Sequence, residues 1–182
     1  MNIRKLAVPL CFLLFGIVVM TLVLTGTVKI FEIPTGSMTP TIQPGDHVTA
    51  TRIFNPAGKV EKGDLVIFDA IKASARLSDS KYVQRVTAIE GDTVDLIDGR
   101  LHVNGRPLPD RDGKIPGGAH PFARDWPQPS YPHVVPAGRI FTLGDNHENA
   151  LDSRYFGSFP VEAVTHRPGR IILPLSRAGK IE

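Results

Sequence analysis

Ser37 lies between Gly36 and Met38 in the run Pro34-Thr-Gly-Ser-Met-Thr-Pro-Thr-Ile-Gln-Pro-Gly-Asp46. Prolines at 34, 40 and 44 fix φ and remove backbone donors, so the run presents one hydroxyl on a stiff turn. A hydroxyl held that way can serve as a nucleophile, although Gly-Ser among prolines is usually only a turn. Other chemistries are excluded more firmly. The one cysteine, Cys11, falls inside an apolar stretch, which leaves no disulfide framework, cysteine metal cluster or thiol nucleophile. The six histidines, at 47, 102, 120, 133, 147 and 166, show no metal spacing with a glutamate, so neither a metal nor a cofactor is expected.

Several elements must carry this turn. Residues 6–28 contain no acid or base, while Arg4 and Lys5 precede them and Lys29 follows. A helix rising ~1.5 Å per residue needs about 20 residues to cross a bilayer, so a transmembrane helix is predicted over 6–28, behind a tail of residues 1–5. A cleaved signal peptide would have a shorter apolar region, roughly 7 to 15 residues, ending at a small-x-small site, so a retained anchor is the better reading. With its cations ahead of the helix, the chain is expected to keep its N-terminus in the cytoplasm and residues 30–182 outside. Once Arg4 and Lys5 are set aside, 19 cations face 18 acids, which does not make a nucleic-acid surface.

Beyond the apolar stretch the chain is rich in Gly and Pro, and its apolar residues come in strand-length runs: 64–68, 82–89, 93–97, 101–103, 139–143 and 170–173. Asp98-Gly99 and Asn104-Gly105 are strong signals for tight hairpin turns. A mostly β domain of ordinary size follows over 30–182. Residues 106–136 hold eight of the sixteen prolines and are read as a long external excursion unable to supply central strands. Residues 70–79 are read as a shorter polar loop.

At the Ser37 run the sequence resembles the type I signal peptidases, membrane-bound serine proteases that remove signal peptides from exported proteins. The resemblance continues through Lys62-Gly-Asp-Leu-Val-Ile-Phe68, Tyr82-Val-Gln-Arg-Val-Thr-Ala-Ile-Glu-Gly-Asp92, Val103-Asn-Gly105 and Phe141-Thr-Leu-Gly-Asp-Asn-His-Glu-Asn-Ala-Leu-Asp-Ser-Arg-Tyr-Phe-Gly157. It implies Ser37 as the nucleophile, with an oxyanion hole from the Ser37 N–H and the Thr35 hydroxyl. It implies shallow pockets for small substrate side chains shaped by Ile33, Met38, Ile42, Tyr82 and Val83, which could equally be ordinary core. Arg85, Asp145, Asp152 and Arg154 match supporting positions, the last two expected to pair. The implied partners are exported precursors bearing signal peptides and the lipid bilayer, and the implied place is the bacterial cell (inner) membrane, crossed once.

The resemblance breaks at the base. Bacterial members have a lysine immediately before the third-block arginine, and eukaryotic-type members a histidine; this chain has Gln84 before Arg85. A buried lysine can be a base because burial depresses its pKa. A glutamine amide accepts hydrogen bonds but takes no proton at neutral pH. Ala150 stands where the family commonly has a serine that bonds the catalytic amine, and His147 where it has an arginine. Lys81 belongs to the opposite face of the same strand, and neither it nor His147 is the expected base.

Two functions follow. One is a working serine endopeptidase; the other is a signal-peptidase-like module that binds extended peptides without cutting them. A self-cleaving repressor on a similar scaffold would be soluble and carry a DNA-binding helical domain, which this sequence does not show.

Overall fold

A computed structural model describes residues 3–78, 80–108 and 129–181, with the side chains of residues 3–8 and 19 outside the description. Most of the excursion, 109–128, therefore lies outside the described residues.

Helix α1 runs Ile3–Leu24. It ends at Gly26, whose N–H reaches the Val23 carbonyl at 3.0 Å with φ of 66°, a left-handed conformation that costs glycine nothing and stops the helix. This corrects the expected boundaries of 6–28: Arg4 and Lys5 lie inside the helix, and Val28 already belongs to a strand. Every described side chain between 9 and 24 is exposed. Among the described residues no helix is long and apolar enough to cross a membrane.

The rest is mostly β. One sheet of eight strands contains β1 (Val28–Glu32), β2 (His47–Arg52), β3 (Leu65–Asp69), β4 (Lys81–Ile89), β9 (Arg139–Leu143), β10 (Phe159–Pro160), β11 (Val164–Leu173) and β12 (Gly179–Lys180). Its order is β1-β2-β11-β3-β4-β9-β10, with β12 on β11. A second sheet, in the order β7-β6-β5-β8, holds β5 (Thr93–Ile97), β6 (Arg100–Val103), β7 (Arg106–Pro107) and β8 (His133–Val134). The ends of the excursion thus supply two edge strands, where proline removes no needed ladder bond. Asp98-Gly99 and Asn104-Gly105 all have positive φ, as the tight hairpin turns require. Residues 70–79 are less loop-like than expected: Ala70–Ala73 form helix α2, and Ala70, Ala73 and Leu77 are buried.

Central β3 is buried along Leu65–Phe68 because it has a neighbour on each side and a core on each face. Val66 and Phe68 face one cluster with Val86, Ile140 and Phe159; Leu65 faces another with Ile33, Met38, Ile42, Val48 and Ile171. A third cluster, Ala88, Val94, Leu101, Val135, Phe141 and Leu143, ties the second sheet to the first. Each fully buried side chain of this size stabilises the fold by roughly 1.5–3 kcal/mol.

Candidate active site

The chain between β1 and β2 makes a tight turn. The Thr39 N–H reaches the Gly36 carbonyl at 3.2 Å and the Ile42 N–H the Met38 carbonyl at 2.9 Å. One helical turn apart, Met38 and Ile42 point together into the core, fully buried, while just before them Ser37 is partly exposed and Thr35 exposed. The hydroxyls of Thr35 and Ser37 stand 3.3 Å apart.

A second segment, 144–147, clamps this turn from outside. Asn146 donates its N–H to the Ser37 carbonyl at 3.0 Å and its side-chain amide to the Gly36 carbonyl at 2.9 Å. Gly144 permits the approach: a Cβ there would lie 2.6 Å from the Ser37 carbonyl oxygen and 2.5 Å from the Ala150 Cβ. The clamp has its own support. Gly144 donates its N–H to Asp152 at 3.2 Å, and Arg154 bonds Asp152 at 2.8 and 2.9 Å while donating to the His147 carbonyl at 2.8 Å. Asp152 also caps the short helix α3 (Ser153–Phe156), accepting from the Arg154 N–H. Asp152 and Arg154 are both buried, and burial works against the Arg154 cation, but the adjacent carboxylate outweighs it and raises the Arg154 pKa.

Arg85 grips Asp145 with two bonds, at 2.9 and 2.8 Å, and donates a third to the Gly63 carbonyl; Thr41, from the Ser37 turn, donates to the same carboxylate at 2.5 Å. The expected supporting residues Arg85, Asp145, Asp152 and Arg154 therefore meet around one loop, and Asn146, Gly144 and Thr41 join them. Sequence reasoning missed these three, although the Gly-Asp-Asn run was in view as part of a matched block.

Gln84 is 1% exposed and has both ends of its amide engaged. Its N–H2 donates to the Leu151 carbonyl at 2.8 Å, and its carbonyl accepts from the Thr142 hydroxyl at 2.6 Å. Leu151 follows Ala150, so Gln84 meets the site from the side of Ala150. Lys81, exposed on the other face of β4, pairs with Asp69. Of the pocket candidates, Ile33, Met38, Ile42 and partly buried Val83 share one cluster; Tyr82 joins the other, against Phe68 at 5.9 Å, because neighbours on a strand face opposite ways. Among the described residues no three His, Cys, Asp or Glu side chains form a metal-holding group.

Residues 4–173 match the family described as Signal peptidase, peptidase S26. The chain belongs to this signal peptidase family. The signal peptidase I of Leptolyngbya laminosa is 30% identical over 158 residues, covering 82% of this chain and 70% of that protein. Signal peptidase IB of Staphylococcus aureus (strain Mu50 / ATCC 700699) is 31% identical over 150 residues, covering 77% and 75%. A signal peptidase I structure from Enterococcus faecalis V583 aligns with 57% of this chain and 92% of its own at 23% identity and a TM-score of 0.41. The Ser37 turn, the clamp and Gln84 all fall within the part of the chain matched to the signal peptidase family.

Proposed function

We propose that this protein is a signal peptidase I-type serine endopeptidase that removes signal peptides from exported precursors at the outer face of the membrane. The observation that carries this reading is the partly exposed Ser37, its hydroxyl 3.3 Å from that of Thr35, on a turn held by Asn146. Ser37 Oγ attacks the scissile carbonyl and gives its proton to water; the Ser37 N–H and the Thr35 hydroxyl receive the oxyanion; the C–N bond breaks as the departing amine takes a proton from water, and a further water hydrolyses the acyl ester, its proton restoring the Ser37 hydroxyl. Partly buried Val83 is the candidate contact for small substrate side chains, backed by the buried Ile33, Met38 and Ile42.

In this reading α1 is a retained membrane anchor, with the N-terminus cytoplasmic, the β domain extracytoplasmic and the bacterial cell membrane as the setting. What supports this reading is that the described side chains of α1 are exposed and, Thr21 apart, apolar, an arrangement that water does not favour, although the described part of the helix is not by itself long and apolar enough to cross. Val28 to Ser37 spans nine residues, at most ~30 Å when extended, which keeps the serine near the bilayer as its substrates require.

Gln84 occupies the base position of this mechanism and is neutral, so turnover rests on oxyanion stabilisation and binding, together ~10³ to 10⁴ over water. Its locked amide favours a second reading, a module that holds an extended peptide without cutting it. The deciding experiment incubates full-length protein in lipid vesicles with a signal-peptide-bearing precursor and maps the N-terminus of any product by mass. A product cut at the signal-peptide boundary supports the endopeptidase; tight binding with no product supports the holding module.

A further inference from the structure

After β11 the chain returns toward the loop that carries Ser37. A single 3-10 turn, Leu175–Arg177, leads into β12, which pairs with β11, and Ile181 beyond it packs against the cluster of Ile33, Met38 and Ile42. Arg177 lies past residue 173, where the match to the signal peptidase family ends.

The Arg177 guanidinium grips the base of the Ser37 loop. Its Nε donates to Asp46 at 2.9 Å, and a terminal nitrogen donates to the second carboxylate oxygen at 3.0 Å and to the Thr41 carbonyl at 3.4 Å. A forked, charged bond of this kind fixes geometry as well as energy. Asp46 is 1% exposed and the Arg177 side chain 28%, so the carboxylate has left the water and depends on its partners, unlike a surface ion pair. The other partner is the Gln43 N–H, at 2.8 Å. Asp46 also closes the loop: its carbonyl accepts from the Ile33 N–H at 2.9 Å, and the Gly45 N–H reaches the Ile33 carbonyl at 2.8 Å. Thr41 is held from both ends, its hydroxyl on Asp145 and its carbonyl against Arg177.

We propose that Arg177 is a positioning residue for the Ser37 reaction: by fixing Asp46 and the Thr41 carbonyl it holds the loop base, and through it keeps the Ser37 hydroxyl in register with Thr35. The inference rests on the reading of Ser37 as nucleophile. Without Arg177, the Gln43 N–H is the one donor left to the Asp46 carboxylate among the described residues. A buried carboxylate so placed turns toward water or takes a proton, and either change loosens the Gln43 bond and the closure at Ile33. A displacement of the nucleophile near 1 Å typically costs ~10² in rate. Substrate binding is left alone, because Val83 is fixed by the pairing of β4 with β3.

The test compares native, Arg177→Gln and Arg177→Lys chains, full length in detergent micelles, by two readouts: kcat and KM for a signal-peptide-bearing precursor, and amide exchange followed by mass spectrometry. In Arg177→Gln, kcat should fall by about 10 to 10² with KM unchanged. Amides of residues 38–46 should exchange about tenfold faster while those of β4 and β9 stay native. Arg177→Lys, which keeps a cation for Asp46 but loses the fork, should fall between the two chains in both readouts and serves alone if Arg177→Gln does not fold. Unchanged exchange over 38–46 overturns the inference, as does a raised KM with kcat intact, which would put Arg177 on the substrate. Faster exchange in β4 and β9 to the same degree also overturns it, since the loss would then be general. A native chain that cuts nothing would sink the endopeptidase reading, and the exchange comparison would still decide whether Arg177 holds the Ser37 loop.

Discussion

The Gln84 amide donates to the Leu151 carbonyl at 2.8 Å, the residue next to Ala150. One bond thus joins Gln84 to the residue that follows Ala150, so the two positions where the resemblance implies a basic residue and a serine are linked through one backbone carbonyl. A lysine there would find an acceptor in Leu151 and a hydroxyl in Thr142, with burial to depress its pKa. The double variant Gln84→Lys with Ala150→Ser is expected to raise cleavage of a precursor by about 10² to 10⁴, the usual contribution of a general base. Its rate should climb with pH through the lowered lysine pKa. An unchanged rate would show that more than the base is missing.

Gly144 sets the depth of the clamp. Gly144→Ala places a Cβ 2.6 Å from the Ser37 carbonyl oxygen and 2.5 Å from the Ala150 Cβ, so the Ser37 turn must shift. A displacement near 1 Å typically costs about 10² in rate. The rate of precursor cleavage is expected to fall by that factor or more while circular dichroism stays native. Native activity in this variant would mean that the clamp does not position Ser37.

Much of the β framework was legible because hairpins announce themselves locally. Asp98-Gly99 and Asn104-Gly105 require positive φ and have it, and the runs at 93–97 and 139–143 match their strands. Strands β1 and β2 were not read: His47–Arg52 does alternate, burying Val48 and Ala50, a signal that was overlooked, whereas Val28–Glu32 is fixed by its pairing with β2, a non-local cause. The end of α1 was misplaced because hydropathy continues through Thr25, whereas Gly26 decides the backbone. In the site, Ser37 and Asp152 with Arg154 could be named from the blocks, but Asn146 could not: its role depends on carbonyls 109 and 110 residues away in sequence. Tyr82 and Val83 were named together, yet the strand's period of two sends them to different cores.

The Asp152–Arg154 pair is 0% and 6% exposed, and breaking such a pair leaves a buried charge without a partner. Asp152→Ala is expected to cost about 3–5 kcal/mol, read from urea unfolding of the β domain in detergent. A loss below about 1 kcal/mol would mean that the clamp does not depend on this pair.

Acid should loosen the fold through Asp46 and Asp92. Burial pushes both carboxyls up, but Arg177 and the Gln43 N–H on Asp46, and the Ile89 N–H, Asn104 and Lys62 on Asp92, outweigh it and hold both below the usual carboxylate range. A pKa lowered on folding gives stability that is fully present above the unfolded value, near ~3.9, and is lost as pH falls through the folded one. The urea midpoint should be flat near neutrality and drop below about pH 4, less steeply in Asp92→Asn than in the native chain. Equal acid sensitivity in the two would contradict the assignment for Asp92.

The most direct test of the central claim compares native and Ser37→Ala protein, full length in vesicles, for the single-turnover rate of precursor cleavage. If Ser37 is the nucleophile, the native chain releases mature product and the variant's rate falls well below it, toward the residual that oxyanion stabilisation and binding supply. Equal rates for the two would contradict the account at its root.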